Sequence, residues 1–183
     1  SNPLKGITIP MVMAALGVLA SLIGTFLVRT KEKKATQNVL LGALRRGIYG
    51  ASILILIMSF AVIYYVMGKE DFGVFWAVLI GLIVGNGIGF FTEYFTSASY
   101  KPTQKLASQA VTGAATFVIG GISLGMLSTW ISVVLVVVGV IISYYASGGG
   151  VSVEKGLYGV SISAVGMLST LGITLSTDAY GPI

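Results

Sequence analysis

The chain has 183 residues, of which 55% are apolar and only 9% are charged, and its mean hydropathy is +0.95. This composition excludes an ordinary soluble domain and indicates a membrane protein. The chain contains neither cysteine nor histidine, which excludes disulfides, thiol nucleophiles, the usual zinc sites and imidazole acid–base chemistry. The net charge of +5 comes from short basic loops beside apolar segments, so it indicates orientation in a lipid bilayer rather than binding to nucleic acid.

The hydropathy pattern predicts an all-α fold, a polytopic transmembrane helix bundle with residues 1–183 in a single membrane domain. A helix needs roughly 20 apolar residues to cross a hydrocarbon core about 30 Å thick. Five segments satisfy this requirement, and we expect five crossings. The predicted helices cover approximately residues 7–28, 39–67, 74–96, 110–147 and 157–178.

The fourth predicted helix is longer than a single crossing requires. Residues 110–147 are 38 nearly uninterrupted apolar residues, and one straight helix of that length would extend over roughly 57 Å. Two antiparallel helices would need a turn with polar residues, Gly or Pro. Residues 126–132 offer only Ser128, Thr129 and Ser132, so we expect one crossing that is kinked or extends beyond the membrane.

Basic residues indicate the orientation of these crossings. With five crossings, eight basic residues lie on one side and three on the other, which makes the richer side cytoplasmic. Asp178 is then cytoplasmic as well. Six crossings would place Asp178 outside and move only Lys155 inward, so five crossings are favoured and six remain an alternative. The eight are Arg29, Lys31, Lys33, Lys34, Arg45, Arg46, Lys101 and Lys105, and the three are Lys5, Lys69 and Lys155.

Small residues form regular faces on two predicted helices. Gly81, Gly85 and Gly89 recur every fourth position in the third helix, which favours close helix packing. The run "GNGIG" there has no preceding strand, so it does not predict a phosphate-binding loop. In the last helix a stripe of small and hydroxyl residues indicates either tight packing or a conducting or binding surface. This stripe consists of Gly159, Ser163, Gly166, Thr170, Thr174 and Thr177, and Asp178 adjoins it.

The remaining charged candidates have both structural and functional interpretations. Glu93 could pair with Lys101 or Lys105, or it could take part in ion transfer. Arg45 and Arg46 flank the second helix, where membrane anchoring is favoured over ligand contact. Gly181 and Pro182 follow Asp178 closely and are expected to end the last helix.

Three stretches together resemble the membrane-integral pyrophosphatases, pumps that use pyrophosphate hydrolysis to move protons or sodium ions. They are "GFFTEYFTSASYKPTQ", "TGAATFVIGG" and "YGVSISAVGMLSTLGITLSTDAYGPI". The resemblance implies a sixteen-helix homodimer in which this chain is an internal piece equivalent to the seventh to eleventh helices. The last of these would belong to an inner ring beneath a cytoplasmic funnel that binds magnesium pyrophosphate.

The resemblance also implies roles for individual residues. Asp178 would lie at the edge of the pyrophosphate site, whereas Glu93, Thr170 and Thr174 would serve the ion path or the structure. The acidic metal-binding runs of the family are absent, so no metal ligand is assigned here. Mg²⁺ would be the cofactor of the whole protein, with K⁺ a second candidate.

As a whole, the protein would hydrolyse pyrophosphate to phosphate and pump H⁺ or Na⁺ out of the cytoplasm. Its expected location is a bacterial plasma membrane, which it would cross several times, and this piece alone would be inactive. One alternative is part of a secondary transporter with Asp178 and Glu93 as coupling acids. Another is a structural membrane scaffold. No internal repeat supports the transporter hypothesis, and the scaffold does not explain a polar stripe that ends at an acid.

Overall fold

A computed structural model describes residues 3–29, 37–68 and 72–180, with side chains described at 6–29, 39–66, 68 and 72–175. All regular elements in these ranges are helices, which confirms the all-α fold class. Gly181 and Pro182, residues 30–36 of the charged loop at 29–37, and residues 69–71 of the charged loop at 67–73 lie outside the described residues. The helices are α1 (Pro3–Thr25), α2 (Gln37–Met67), α3 (Gly73–Thr96), α4 (Lys101–Gln109), α5 (Ala114–Ala146), α6 (Val153–Leu168) and α7 (Leu171–Tyr180), with a 3-10 turn at Ala110–Thr112.

Four stretches of the described chain are long and apolar enough to cross a membrane. They are Gly6–Thr25, Val39–Val66, Gly73–Thr112 and Ala114–Ala146. The third includes the polar α4, so its apolar part is α3. Large apolar side chains such as Ile57 and Met126 are exposed, which carries no hydrophobic cost where lipid surrounds them. The protein is therefore a multi-pass integral membrane protein.

The apolar run at 110–147 contains one long helix rather than an antiparallel pair. Helix α5 has 33 residues, which corresponds to about 50 Å. Gly113, with φ 128°, separates it from the preceding turn. The hydroxyls of Ser128 and Thr129 donate to the carbonyl oxygen of Gly125 at 2.8 and 2.9 Å, so these polar groups are satisfied within the helix.

A glycine-based cap ends α5. Gly149 N donates to Tyr144 O at 2.9 Å, and Gly148 N donates to Tyr145 O at 3.1 Å. Gly148 has φ 95°, the left-handed conformation that this cap requires and that glycine adopts without strain. Helix α6 then begins at Val153, four residues before the expected start, with Glu154 in its first turn, where the helix dipole favours an acid.

The described residues group into two compact units. The first comprises those of Ser1–Ile83 and Gly139–Ile183, and the second is Val84–Val138. The core of the first unit is formed by apolar side chains of α1, α2, the first half of α3 and α6. These core residues are Ile9, Met13, Ala20, Ile55, Ile63, Val74, Ala77, Val78, Leu82 and Ile162. In the second unit, α3 approaches α5 at Gly87, where an added Cβ would lie 3.5 Å from Leu135 Cδ1.

Candidate functional site at the interrupted helix

The predicted last helix, over 157–178, is divided into α6 and α7 at Ser169 and Thr170. Ser169 bonds back to the carbonyl oxygen of Gly166 twice, through its N–H at 3.3 Å and its Oγ at 2.5 Å. This three-residue spacing replaces the four-residue spacing of an α-helix. The carbonyl of Thr170 then accepts the N–H groups of Ile173 and Thr174 at 3.2 and 3.0 Å, and these bonds begin α7.

Helix α1 packs against this interruption through small residues. A Cβ added at Gly17 would lie 2.6 Å from the carbonyl oxygen of Ser169 and 2.9 Å from its Cα. One turn further along α1, Ser21 contacts α7, because a Cβ added at Gly172 would lie 3.0 Å from Ser21 Cβ. Only a residue without a side chain permits the backbone of α1 to approach Ser169 this closely.

Two further glycines on α1 and α2 receive a side chain of α7. Ile173 is only 1% exposed, and its Cδ1 would lie 2.8 Å from a Cβ added at Gly24 and 2.9 Å from one added at Gly47. The isoleucine side chain therefore fills a gap that both glycines leave open. This contact positions α7 relative to α1 and α2.

The α6 part of the small-residue stripe is a packing surface. Gly159, Ser163 and Gly166 are all buried. A Cβ added at Gly166 would lie 2.9 Å from the carbonyl oxygen of Val78 on α3, and one at Gly81 would overlap the carbonyl of Ser163.

Only part of the glycine face on α3 takes part in this packing. Gly81 contacts α6. Gly85 is half-buried. Nothing described lies within 4 Å of a Cβ added at Gly89.

The candidate residues of α7 continue the stripe. Thr170 is 5% exposed, and Thr174 Oγ1 donates to the carbonyl oxygen of Thr170 at 3.0 Å, so the structure brings these two residues together. Asp178 lies on α7, one turn after Thr174, at a position on the same helix face. The side chains of Thr177 and Asp178 lie outside the described residues.

Glu93 belongs to the second unit, whereas Thr170 and Thr174 belong to the first. It lies near the end of α3, is half-buried, and its carbonyl oxygen accepts the Ser97 N–H at 2.9 Å. On α2, Arg45 is half-buried and Arg46 is exposed.

A magnesium cluster requires several oxygen ligands, usually carboxylates among them. Within the described ranges, no three of the residue types His, Cys, Asp and Glu group closely enough to hold a metal ion. The described residues therefore do not fit a magnesium cluster.

Sequence analysis missed the part that α1 has in this site. Gly17, Ala20, Ser21 and Gly24 follow one another at intervals of three, one and three residues, which places them on one helix face. That spacing was a usable signal, because small residues in such a pattern favour close packing of membrane helices.

Comparison with known proteins decides the family. The model of the inorganic H⁺ pyrophosphatase family matches residues 3–183. The chain belongs to this family. The membership agrees with the resemblance carried by "GMLST" and "DAYGPI", and the secondary-transporter hypothesis is set aside.

Relatives within the inorganic H⁺ pyrophosphatase family differ in the ion that their names give. The chain is 54% identical to a Bacteroides thetaiotaomicron protein, over 98% of this chain and 24% of that protein. It is 40% identical to a Clostridium tetani protein, over 98% of this chain and 26% of that protein. Both names describe a K(+)-stimulated pyrophosphate-energized sodium pump. A Methanosarcina mazei protein, named a K(+)-insensitive pyrophosphate-energized proton pump, is 34% identical over 95% of this chain and 25% of its own. The chain spans about a quarter of the length of these relatives.

Proposed function

We propose that the full-length protein containing this chain is a membrane-bound pyrophosphatase that hydrolyses pyrophosphate to phosphate and pumps H⁺ or Na⁺ out of the cytoplasm. The observation that carries the proposal is the family match over residues 3–183. Sodium is the favoured ion and K⁺ the favoured activator, because the names of the 54% and 40% identical relatives state both. The chain contributes about a quarter of such a pump and acts as part of it, in a homodimer within a bacterial plasma membrane.

In this proposal α6 and α7 together form the fifth crossing. From Val153 to Tyr180 they contain 28 residues, which corresponds to about 42 Å and exceeds the hydrocarbon core. Five crossings place Asp178 on the cytoplasmic side, as the basic residues predict. The chain would then correspond to the seventh to eleventh helices, with α6 and α7 in the inner ring.

Asp178 is proposed to lie at the edge of the pyrophosphate site. The packing of Ile173 against Gly24 and Gly47 holds α7 five residues before Asp178, which supports a defined position for the end of this helix. A carboxylate there would accept hydrogen bonds and orient cationic groups around the anionic substrate. The magnesium ions that such a substrate requires would be bound mainly by acidic residues in other segments of the full-length protein.

Thr170 and Thr174 are proposed to have a structural role. The hydroxyl of Thr174 is used in the hydrogen bond to the Thr170 carbonyl, and Thr170 is buried. Glu93 is half-buried near the end of α3, and we propose that it lies on the ion path.

The proposal is tested by phosphate release from pyrophosphate by membranes that contain the full-length protein. We expect Asp178→Asn to lower the rate by about tenfold, less than the 10²–10⁴-fold contribution of a direct proton-transfer group. Glu154→Gln is the matched control, because Glu154 is an exposed acid in the first turn of α6. Equal rates of phosphate release by the Asp178→Asn variant and the unmodified protein would show that Asp178 does not contribute to the pyrophosphate site.

A further inference from the structure

Helix α4 is a short amphipathic helix with one packed and one exposed face. On the packed face, Thr103 Oγ1 donates to the carbonyl oxygen of Phe95 at 3.1 Å. The side chains of Leu106 and Gln109 pack against Gly120 of α5. A Cβ added at Gly120 would lie 3.1 Å from Leu106 Cδ1 and would also contact Gln109 Oε1. The opposite face is exposed and polar. We call it the lysine face, and it consists of Lys101, Gln104, Lys105 and Ser108.

The length of α5 places α4 near the membrane surface. At about 50 Å, α5 exceeds the roughly 30 Å hydrocarbon core by about 20 Å. Its last turn carries Tyr144 and Tyr145, and tyrosines are enriched where a helix leaves the hydrocarbon. The surplus length therefore belongs to the beginning of α5. Gly120, which α4 contacts, is six residues after Ala114, or about 9 Å along the helix, so α4 lies beside the part of α5 that extends beyond the hydrocarbon core.

Aromatic residues before α4 indicate the same level. The rings of Tyr94 and Tyr100 lie 5.2 Å apart between their centroids, at the junction of α3 and α4. Tyrosine rings at a membrane boundary keep their apolar part in the hydrocarbon and their hydroxyl in the headgroup layer. Helix α4 thus follows directly after an aromatic group of the kind that marks the interface.

Charge determines which lipid suits the lysine face. Lys101 and Lys105 are exposed and one turn apart, and the sequence has no acidic residue between Glu93 and Glu154. The headgroup layer of a cytoplasmic leaflet is rich in anionic phosphodiesters, and each nearby lysine strengthens attraction to it about fivefold.

We propose that the lysine face binds the headgroups of anionic phospholipids. The site does not depend on pyrophosphate hydrolysis. It assigns to α4 the role of holding the junction between α3 and α5 at the membrane surface.

The geometry favours a lipid over a soluble anion. A soluble phosphate is usually bound where backbone N–H groups and several side chains surround it. The lysine face is convex and exposed, and lysine is a flexible point charge. Such a surface suits a layer of many headgroups, which the membrane supplies at high local concentration.

The proposal is tested on the full-length protein reconstituted into vesicles of phosphatidylcholine and phosphatidylglycerol. Cysteines elsewhere in the full chain are replaced, and a fluorophore is attached at Ser108→Cys. Brominated phosphatidylglycerol or brominated phosphatidylcholine then quenches the fluorophore at equal bulk fractions. We expect the phosphatidylglycerol form to quench more strongly. Lys101→Gln with Lys105→Gln should lower the relative affinity by about fivefold for each lysine, and Lys101→Arg with Lys105→Arg should retain it.

Lys155→Gln is the matched control, because Lys155 is an exposed lysine at the start of α6, and it should leave the lipid preference at Ser108→Cys unchanged. Raising the salt to about 1 M, where the Debye length is ~3 Å, should reduce the preference. Several results would overturn the proposal: equal quenching by both lipids, an unchanged preference in the double glutamine variant, or no quenching by either lipid because protein covers the face. Loss of the preference on adding inorganic phosphate at constant ionic strength would identify a soluble-anion site instead.

Discussion

Gly17 of α1 lies directly against the backbone of Ser169, at the point where α6 ends. A Cβ added at Gly17 would lie 2.6 Å from the Ser169 carbonyl oxygen, well inside normal van der Waals contact. Because the opposing atoms are backbone, no side-chain rotation can relieve the overlap. The end of α6 and the small face of α1 are therefore in direct backbone contact.

The first prediction concerns this contact. Gly17→Ala in the full-length protein should be destabilising by about 1–3 kcal/mol, the usual cost of overpacking, although alanine favours a helix over glycine. Thermal unfolding of the purified protein measures the effect. Gly42→Ala is the control, since nothing described lies within 4 Å of a Cβ added at Gly42. A Gly17→Ala protein as stable as the control variant would contradict the close approach.

The second prediction concerns the anchor of α7. Ile173→Ala should lower stability by about 2–5 kcal/mol, because it removes a fully buried side chain and leaves a cavity beside Gly24 and Gly47. Leu175→Ala provides the comparison on the same helix, because Leu175 is 53% exposed. Thermal unfolding and phosphate release are both measured. If the two variants lose stability equally, Ile173 does not hold α7.

The third prediction concerns the hydroxyl at the interruption. Ser169→Ala removes the hydroxyl donor to Gly166 O but keeps the backbone N–H donor, and it should cost about 0.5–1.5 kcal/mol. Hydrogen exchange at the Ile173 and Thr174 amides, which begin α7, should become faster. Ser161→Ala on α6 serves as the reference, since Ser161 is exposed and donates to the Leu157 carbonyl. Unchanged exchange in Ser169→Ala would show that the interruption does not need this hydroxyl.

The fourth prediction concerns the cap of α5. Gly148→Ala should be destabilising by about 1–2 kcal/mol, because Gly148 has φ 95° and an L-residue is disfavoured there. Gly150→Ala should have little effect, since no described atom lies within 4 Å of its added Cβ. Protease sensitivity of the turn between α5 and α6 compares the two. Equal cleavage of both variants would contradict the glycine cap.

The long helices could be predicted from sequence because hydropathy and length decide them. The stretch around Ser128 and Thr129 lacks turn residues, and the structure has a single helix there for the same reason. The interruption at Ser169 could not be predicted from hydropathy, since "GMLSTLGIT" is as apolar as its surroundings. At the interruption Ser169 bonds back to Gly166 and lies against Gly17, and neither interaction changes the apolar pattern.

The site was predictable in part. The small-residue stripe of the last helix followed from its spacing, and the α6 residues of that stripe are buried against neighbouring helices. The small-residue face on α1 was visible in the sequence, but the sequence does not show which helix packs against it. The position of Gly24 and Gly47 around Ile173 depends on how three helices assemble, which residue spacing within one helix does not determine.

The most direct test of the proposed function is ion uptake into inverted membrane vesicles that contain the full-length protein. We predict that pyrophosphate drives Na⁺ uptake together with phosphate release, that K⁺ stimulates both, and that Asp178→Asn lowers both while Glu154→Gln does not. Uptake of H⁺ in place of Na⁺ would support the proton-pumping form of the proposal. Intact protein that neither hydrolyses pyrophosphate nor moves either ion when pyrophosphate is added would contradict it.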